Sequence, residues 1–391
     1  MPATAPASAR PADAEGARRY DIGIAGAGQL ARMTCLAAWP LGLRVAVLGR
    51  PDEPAAPMAA GLVEGDWHDA RAVRALGDAS GVVTLENEFV DAAALEAVEA
   101  AGTPVRPGSA ALAVVQDKAL QKELLRDAGL PLPPFEILRE PGEIEALGRD
   151  LGWPLMLKAR RLGYDGYGNA TCATPAEAAE ALARLDAGDG VLAEAFMAFE
   201  RELAAMITRA PGGAEAVYPV VETVQRNHVC HEVIAPAPVP RATLELAGRT
   251  ARAAAEAAGG LGVTGVEMFL LADGAVVVNE LAPRPHNSGH YTIEACETSQ
   301  FENHLRGVLD LALGPVDLRA PAAAMVNLLG SRTGPAEPAI APALAVAGAH
   351  LHLYDKRQVR PGRKMGHVTA LGRDADDALA TARRAAAAVG L

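Results

Sequence analysis

The pattern of apolar and polar positions in the first third of the chain predicts short strands that alternate with helices. Apolar runs at 20–25, 44–48 and 81–84 read YDIGIA, RVAVL and GVVT, and a glycine-containing turn at 26–30 leads from the first run into a helical stretch. This alternation is typical of a parallel sheet with crossover helices. Such sheets bind ligands at the carboxyl ends of their strands, so ligands are expected at that edge.

A junction at residues 117–135 divides this region from the rest of the chain. Asp117 is a favourable N-cap for a helix over 117–127, and Gly129 and a proline-rich segment follow that helix. The mixed pattern beyond the junction predicts an α+β region and a further C-terminal unit. The predicted elements are strands at 153–159, 191–194 and 325–329, helices at 174–187 and 242–259, a following antiparallel hairpin, and a final alanine-rich helix.

An acidic hairpin is predicted at residues 262–282. Two apolar runs flank Asp273-Gly274, which is typical of a two-residue turn. With these two residues at the centre of the turn, the register places Glu267 directly opposite Glu280. Opposed residues have Cβ atoms about 4.5–5.5 Å apart. The same register pairs Phe269 with Val278 and Leu271 with Val276.

The two carboxylates of this hairpin predict a magnesium site. Carboxylates that are so close repel each other unless one is protonated or a cation lies between them. Mg²⁺ commonly takes one or two carboxylates together with phosphate oxygens and water. The alternative is an exposed hairpin whose glutamates point into water, although the surrounding face is apolar. By strict alternation Asn279 lies on the opposite face, and it reaches the metal only if the strand bulges there.

Charge and cysteine usage exclude several classes of protein. The 391-residue chain has a formal net charge of −12, which disfavours a general nucleic-acid binder. Its apolar runs fall short of the ~20 residues of a membrane span. The first 19 residues are rich in Ala and Pro without an apolar core, which indicates a disordered extension and not a signal peptide. The scattered cysteines predict buried, reduced thiols in a cytosolic enzyme; they are Cys35, Cys172, Cys230 and Cys296.

Residues 158–168 have the character of a nucleotide site. Lys158 ends an apolar strand, where a lysine either extends along the surface to solvent or contacts a phosphate or base. The loop that follows contains Gly163, Gly166 and Gly168, and such glycines let backbone N–H groups approach an anion. A GxxxxGK[ST] motif is absent, so a P-loop enzyme is not indicated.

Other polar positions are open to two interpretations. Glu194 and Glu202 are either surface carboxylates or acceptors for ribose hydroxyls. The glycine turn after the first strand is an imperfect dinucleotide fingerprint, without the second half of an NAD-binding unit. The basic segment 354–367 forms either a solvated hairpin or a phosphate site. His286 and His290 lie within a few residues of the predicted metal strand, where a purely structural role is less expected than for one histidine alone.

These motifs, taken together, resemble those of one family. The segment 279–306, NELAPRPHNSGHYTIEACETSQFENHLR, is similar to the signature of 5-(carboxyamino)imidazole ribonucleotide synthases, which are ATP-grasp enzymes of purine biosynthesis. The resemblance covers about residues 20–390 in the same order. It includes the segments 26–33, 117–122, 163–168, 218–219, 354–356 and 360–367.

This resemblance implies a fold and a reaction. The fold is α/β and α+β, an ATP-grasp fold with an N-terminal Rossmann-like parallel-sheet domain and a small C-terminal domain, usually assembled as a homodimer. The enzyme would phosphorylate bicarbonate with ATP and pass the carboxyl group of carboxyphosphate to the amine of 5-aminoimidazole ribonucleotide. The expected divisions are an extension at 1–19, an α/β domain at 20–117, an ATP-grasp domain at 118–312 with a lid at about 136–195, and a C-terminal domain at 313–391.

The resemblance also implies roles for individual residues. Magnesium is expected at Glu267 and Glu280. ATP is expected at Lys118, Lys158, Gly163, Gly166, Gly168, Glu194, Ala195, Phe196, Glu202, Asn279 and Glu280. The ribonucleotide is expected at Gly28, Gln29, Lys356, Arg363 and Lys364. The bicarbonate and carboxyl-transfer steps are expected at Tyr164, Asp165, Arg284, His286, Asn287 and Lys356, and either His286 or Asp165 accepts a proton.

Four positions depart from the family pattern: Phe89, Tyr167, Asn169 and Gln225. The family usually has Asn, a basic residue, Gln and His there, which questions one phosphate contact and one nucleotide contact. Two alternatives therefore stay open, namely another ATP-grasp ligase for a related amine and a nucleotide-binding regulatory protein that has lost catalysis. The segment 279–306 argues against the first, and the retained lysine and glutamates argue against the second. The sequence thus predicts a cytoplasmic carbon–nitrogen ligase that needs ATP and Mg²⁺.

Overall fold

The computed structural model describes residues 18–162 and 168–391 and arranges them in three main sheets and a two-stranded ribbon. Most of the expected N-terminal extension lies outside this range. So do five residues of the expected phosphate loop, Gly163, Tyr164, Asp165, Gly166 and Tyr167. No helix within the described ranges is long and apolar enough to cross a membrane.

The first sheet is parallel and confirms the strands predicted in the first third of the chain. Its neighbouring elements are β1 (Tyr20–Ala25), α1 (Gln29–Ala38), β2 (Val45–Gly49), β3 (Gly61–Glu64), α2 (Ala70–Ala79), β4 (Ser80–Leu85), α3 (Ala92–Ala100), α4 (Ser109–Val115) and α5 (Lys118–Asp127). The strand order is β3-β2-β1-β4. All five residues of β2 are buried, as expected for a parallel strand covered on both faces. Asp117 caps α5 as predicted and accepts the N–H of Ala119 at 3.0 Å.

The second sheet is antiparallel and smaller. It comprises β5 (Phe135–Leu138), α6 (Ile144–Leu151), β6 (Leu155–Ala159), β7 (Asn169–Cys172), α7 (Pro175–Leu185) and β8 (Val191–Ala195). The strand order is β5-β8-β6-β7, and the hydrophobic sides of α6 and α7 pack on it. The strand predicted at 153–159 begins only at Leu155, because Pro154 has no N–H to give to a neighbouring strand.

The third sheet has nine antiparallel strands and spans the rest of the chain. Its first elements are β9 (Phe199–Arg209), β10 (Glu215–Val217), β11 (Val221–Arg226), β12 (Val229–Ala235), α8 (Arg241–Ala257), β13 (Gly262–Leu271), β14 (Val276–Ala282), α9 (Thr292–Ala295) and α10 (Gln300–Val308). The last are β15 (Ala322–Leu329), α11 (Ile340–Leu344), β17 (Ala349–Leu353), β19 (Lys364–Gly372) and α12 (Ala375–Ala387), while β16 (Gly334–Pro335) and β18 (Gln358–Val359) form the separate two-stranded ribbon. Eight strands follow the order β14-β13-β9-β11-β12-β15-β19-β17, and the ninth, β10, pairs with β9 beside this path. The C-terminal strands therefore continue the same sheet.

Alanine supplies much of the core beneath this sheet. Ala247, Ala251, Ala254 and Ala255 form one stripe of α8, and all four are 0% exposed against β9, β13 and β14. Small side chains bring the helix axis close to the sheet, so a core with few aromatic residues can still be filled. The high alanine content therefore allows α8 to pack closely on the sheet.

The four cysteines are buried, as predicted.

The acidic hairpin formed by β13 and β14 differs from the prediction in its turn. The N–H of Leu271 donates to Ala275 O at 2.9 Å, so the loop contains the three residues 272–274, and Gly274 at its end has φ +85°. The predicted two-residue turn is therefore wrong. The predicted pairs are also wrong near the turn, because Phe269 lies opposite Val277 and Leu270 lies opposite Val276.

A β-bulge at Asn279 restores the predicted pairing of the two glutamates. Glu267 lies opposite Glu280 while Met268 lies opposite Val278, so Asn279 is the extra residue. The bulge shifts the register by one residue and cancels the additional residue of the turn. It also removes Asn279 from the position given by strict alternation, and its Oδ1 accepts a hydrogen bond from Lys158 at 3.1 Å.

Candidate active site

A cleft of about 1320 Å³ is lined by residues of the second and third sheets, of the loops after β1 and β4, and of α1 and α5. Every predicted site residue that the structure describes lines this cleft, with the exception of Gly168. They are Gly28, Gln29, Lys118, Lys158, Glu194, Ala195, Phe196, Glu202, Glu267, Asn279, Glu280, Arg284, His286, Asn287, Lys356, Arg363 and Lys364. The fold therefore brings together residues that are more than 300 positions apart in the chain.

Three carboxylates form one wall of the cleft. Burial raises the pKa of Glu267, and the nearby charges of Glu280 and Glu202 raise it further. The pKa of Glu280 is lowered, mainly by Lys118, whose Nζ lies 2.5 Å from its Oε2. Burial raises the pKa of Glu202 to about 7. Glu267 is thus poorly neutralised, and a cation would stabilise its ionised form.

The donor set of this wall fits Mg²⁺. Among residues 18–162 and 168–391, no group of three or more His, Cys, Asp and Glu side chains forms a metal-binding cluster. The protein ligands would therefore be the opposed carboxylates of Glu267 and Glu280. Mg²⁺ is typically held by one or two carboxylates and completes its shell with substrate phosphates and water, whereas a structural metal site would need more protein ligands.

A buried triad of charges lies beside the carboxylate wall. Glu194 of β8 is 2% exposed and accepts from Lys122 at 2.7 Å and from Lys158 at 2.5 Å. Burial opposes ionisation, but the two lysines lower the pKa of Glu194 to about 2. Burial lowers the pKa of Lys122 to about 8. The surface interpretation of Glu194 and the solvent-directed interpretation of Lys158 are therefore wrong.

Arg284 is fixed by a residue that sequence reasoning missed. Its Nε and Nη2 donate to the two carboxylate oxygens of Glu88 at 2.5 and 3.0 Å. Although burial acts in the opposite direction, this bidentate pair lowers the pKa of Glu88. Glu88 follows β4 at the carboxyl end of the parallel sheet, where ligand-side residues are expected. Its position after β4 was the only feature of the sequence that indicated a role for Glu88 in the site.

His286 presents a hydrogen-bond donor to the cleft. Its Nδ1 accepts the N–H of Ser288 at 3.4 Å, so the neutral ring carries its proton on Nε2, which lies 3.6 Å from Glu267 Oε1. Burial lowers the pKa of His286 to about 3, and Arg284 and Lys364 add to this effect. His286 is therefore suited to donate a hydrogen bond. This argues against the interpretation of His286 as the proton acceptor, while Asp165 lies outside the described residues.

A basic corner closes the other end of the cleft. Lys356 Nζ donates to Gln29 Oε1 at 2.6 Å and to the backbone oxygen of Lys364 at 2.7 Å. Arg363 stands beside them on the same turn and donates to Gln358 O at 2.8 Å. Lys356 thus joins the C-terminal strands to the start of α1. The turn at Pro361-Gly362 is exposed, as the alternative interpretation of a solvated hairpin expected.

Asn287 is held at the cleft by a partner from the C-terminal strands. Its side chain exchanges two hydrogen bonds with Asn327 of β15, at 3.0 and 2.7 Å. The three described positions that depart from the family pattern also face the cleft, and among them Gln225 forms a hydrogen bond with Glu202. These positions are Phe89, Asn169 and Gln225.

Glu86 explains why the glycine turn after β1 is not a dinucleotide site. Its carboxylate accepts the N–H of Gly28 at 2.6 Å and of Leu30 at 3.2 Å, at the N-terminus of α1. This is the place where a Rossmann-type turn would hold a pyrophosphate, so an internal carboxylate occupies the anion position. Burial raises the pKa of Glu86, against the effect of these N–H groups.

Gly28→Ala is expected to lower the free energy of unfolding by about 1–3 kcal/mol, because the hydrogen bond to the buried carboxylate is broken. A Cβ atom on Gly28 would lie 2.3 Å from Glu86 Oε1. Urea unfolding measures the change. Gly142→Ala is the control, since Gly142 has no heavy atom within 4 Å of its Cβ position. Equal stability of the two variants would show that Glu86 moves without cost.

Family models match three consecutive parts of the chain. Residues 20–116 match a ribonucleotide synthetase preATP-grasp domain, residues 123–301 an ATP-grasp domain, and residues 323–381 a phosphoribosylaminoimidazole carboxylase C-terminal domain. These matches cover the parallel sheet, the second sheet with the first six strands of the third, and the C-terminal strands, and they agree with the fold predicted from the sequence.

Individual relatives extend the similarity to nearly the whole chain. The N5-carboxyaminoimidazole ribonucleotide synthase of Synechococcus elongatus is 44% identical over 353 residues, which are 89% of this chain and 88% of the relative. The crystal structure of the Aspergillus clavatus carboxyaminoimidazole ribonucleotide synthase with ATP is 38% identical, with a TM-score of 0.87 over 94% of this chain and 97% of that chain. The structure from Aspergillus clavatus with ADP and 5-aminoimidazole ribonucleotide is 37% identical, with a TM-score of 0.86 over 94% and 98%.

Relatives from Synechococcus elongatus, Mycobacterium bovis and Bacillus subtilis are all N5-carboxyaminoimidazole ribonucleotide synthases, so neither a different ATP-grasp ligase nor a non-catalytic regulatory protein is favoured. Similarity at this level over all three parts of the chain places it within a single group of enzymes. The chain belongs to the N5-carboxyaminoimidazole ribonucleotide synthase family of ATP-grasp ligases.

Proposed function

We propose that this protein carboxylates 5-aminoimidazole ribonucleotide with bicarbonate at the expense of ATP, in purine biosynthesis. The observation that carries the proposal is the similarity, over 94% of the chain, to structures described with ATP and with ADP plus 5-aminoimidazole ribonucleotide. The cleft supports it, because a carboxylate wall suited to a metal nucleotide and a basic corner suited to a phosphate face the same space.

ATP is proposed to lie between the second and third sheets. Lys118 and Lys158 would contact the phosphates and the base, Ala193 to Phe196 would form the adenine hinge, and Glu202 would accept from the ribose. Glu267 and Glu280 would hold Mg²⁺, which when bound neutralises charge on the phosphates during phosphoryl transfer. The glycine loop, of which Gly168 is described, is proposed to cover the phosphates and to exclude water from carboxyphosphate.

Carboxyl transfer is proposed to take place beside His286. A bicarbonate oxygen attacks the γ-phosphorus of ATP and ADP leaves. The amine nitrogen then attacks the carboxyl carbon as the bond to phosphate breaks, and the proton of the nitrogen passes to the departing phosphate. Arg284, Asn287 and the Nε2–H of His286 would hold the carboxyphosphate oxygens by charge and hydrogen bonds. Lys356, Arg363 and Lys364 would bind the phosphate of the ribonucleotide, with Gln29 in support.

The proposal includes a homodimer located in the cytoplasm. Leu36, Trp39 and Leu41 at the end of α1 are 43%, 62% and 39% exposed, and a second copy of the chain would remove this apolar group from water. Four buried cysteines are typical of a protein from a reducing compartment. Light scattering of the purified protein tests the dimer.

ADP release by the purified protein tests the reaction. Protein is mixed with ATP, Mg²⁺ and bicarbonate, with and without 5-aminoimidazole ribonucleotide, and both ADP and the carboxylated ribonucleotide are measured. We expect the ribonucleotide to raise the rate of ADP release and one product to form per ADP. No increase on addition of the ribonucleotide would contradict the proposed function.

A further inference from the structure

The segment 280–286 carries three residues of the proposed site but has few backbone partners of its own. Its strand, β14, is the edge of the nine-stranded sheet and ends at Ala282. Pro283 and Pro285 have no N–H to donate. Buried backbone groups without partners are costly, so the remaining N–H and C=O groups need partners from elsewhere.

Gln121 of α5 supplies these partners at the start of the segment. Its side-chain Oε1 accepts the N–H of Leu281 at 3.1 Å, and its Nε2 donates to the oxygen of the same residue at 3.2 Å. Gln121 is 3% exposed, and its Nε2 is also within 3.3 Å of Val115 O. Leu281 directly follows Glu280, so this contact fixes the backbone that carries a proposed metal ligand.

Gln300 of α10 makes the same pair of bonds at the end of the segment. Its Oε1 accepts the N–H of His286 at 3.0 Å, and its Nε2 donates to His286 O at 2.8 Å and approaches His290 Nδ1 at 3.1 Å. Gln300 is 0% exposed. Gly289 packs directly against it, because a Cβ atom there would lie 2.4 Å from its Oε1.

The side-chain amide of each glutamine thus makes the pair of hydrogen bonds that a neighbouring strand would make. It presents one donor and one acceptor to a single residue, and this fixes the orientation of the peptide groups on both sides. Glu280 belongs to the ATP half of the proposed reaction, and His286 belongs to the carboxyl-transfer half. We call each of these paired hydrogen-bond contacts, Gln121 with Leu281 and Gln300 with His286, a clamp. The two clamps therefore act on different steps of the reaction, although they hold one short segment.

We propose that Gln121 and Gln300 are positioning residues, Gln121 for the metal–ATP half of the site and Gln300 for the carboxyl-transfer half. This inference rests on the proposed function. Gln121 of α5 holds the backbone next to Glu280, and Gln300 of α10 holds the backbone of His286. The relative placement of Glu280 and His286 therefore depends on the packing of these two helices.

Asn303 offers a matched control on the same helix as Gln300. Its side chain makes the same two bonds to one residue, accepting the N–H of Gly314 at 2.8 Å and donating to Gly314 O at 3.1 Å. It is 0% exposed and does not line the cleft. Loss of this clamp changes stability without touching the segment 280–286.

The test compares Gln121→Met, Gln300→Met and Asn303→Leu by melting temperature, by the Mg²⁺ concentration for half-maximal ADP release, and by the ratio of carboxylated product to ADP. Partners that orient metal ligands typically contribute about 10–100-fold. We expect Gln121→Met to raise the Mg²⁺ requirement by at least about tenfold with a near-normal product ratio. We expect Gln300→Met to lower the product ratio and raise the KM for bicarbonate, with the Mg²⁺ requirement unchanged.

Three further variants keep the inference testable if a methionine variant does not fold. Gln300→Asn and Gln121→Asn keep the amide but shorten it by one carbon, so they are expected to show the same split with smaller effects. Gly289→Ala displaces the side chain of Gln300 without replacing it. This variant is expected to lower the ratio of carboxylated product to ADP as Gln300→Met does.

The inference would be overturned if the Gln121 and Gln300 variants had identical effects on the Mg²⁺ requirement and on the product ratio. Altered kinetics in Asn303→Leu would also overturn it. Changes in melting temperature alone would show a purely structural role. Failure of the wild-type protein to release ADP in response to the ribonucleotide would instead refute the proposed function, so the two failures are distinguishable.

Discussion

Glu280→Gln is expected to lower ribonucleotide-dependent ADP release by at least about a hundredfold while the protein stays folded. The amide keeps the shape of the side chain but removes the negative charge that faces Glu267 across the hairpin and pairs with Lys118 at 2.5 Å. Without that charge, Mg²⁺ has one carboxylate ligand in place of two, and charge on the transferring phosphoryl group is less well stabilised. The half-maximal Mg²⁺ concentration is expected to rise in parallel.

Two comparisons separate this effect from a general loss of stability. Glu232→Gln removes a buried glutamate charge elsewhere in the same sheet, where Glu232 forms a bidentate pair with Arg383 at 2.7 Å and does not line the cleft. Its Mg²⁺ requirement should equal that of the wild type. Lys118→Met removes the partner of Glu280 but keeps the carboxylate, so it should retain Mg²⁺ binding. Near-normal turnover of Glu280→Gln would remove Glu280 from the metal site.

Glu194→Gln is expected to lower the free energy of unfolding by about 3–5 kcal/mol, which is the effect of breaking a buried ion pair by removing one partner. Lys122 and Lys158 both bond to this carboxylate and are 2% and 7% exposed. The variant leaves two buried ammonium groups with no shared counter-ion, and one of them must then lose its proton or become hydrated. Urea unfolding at neutral pH measures the change.

The pH dependence of stability provides a second measure of the same carboxylate. The pKa of Glu194 is about 2 in the folded protein and 4.5 in its ordinary range. Because the folded-state pKa is depressed, the stabilisation is complete above about pH 4.5 and is lost as the pH falls towards 2. The difference in stability between the wild type and Glu194→Gln should therefore shrink across that window.

Lys122→Met is the control for this second prediction. It removes one of the two lysines and leaves the one-to-one pair of Glu194 and Lys158, so its cost should be clearly smaller than that of Glu194→Gln. Burial already lowers the pKa of Lys122 to about 8, which indicates that its charge is expensive to bury. A Lys122→Met variant that is as unstable as Glu194→Gln would show that packing, and not charge balance, governs the triad.

Local patterns predicted most of the elements that lie next to the site. Apolar runs predicted β1, β2 and β4, and an acidic N-cap predicted the start of α5. The strand β9 was missed although its central position in the sheet places Glu202 on the carboxylate wall. The first four residues of β9, FERE, show no apolar alternation, because the buried part of the strand begins only at Leu203. Phe199 and Glu202 line the cleft, and Arg201 pairs with Glu222.

The hairpin shows how a correct pairing can follow from an incorrect turn. Asp273-Gly274 predicted a two-residue loop, and the structure has three loop residues and a bulge at Asn279. Each change shifts the register by one residue in the opposite sense. The bulge could not be read from the apolar alternation of β14, since its effect is to aim Asn279 at Lys158, a partner 121 positions away.

The sequence by itself determined the alternating and hairpin elements, the opposed glutamates and, through one specific segment, the family. These features depend on neighbouring residues, whose spacing fixes which side chains share a face. The tertiary structure decided which buried groups are neutralised and held in place. Glu88 meets Arg284 across 196 positions, and Gln121 meets Leu281 across 160. Such contacts form only when separate helices and sheets pack together, and no local pattern encodes them.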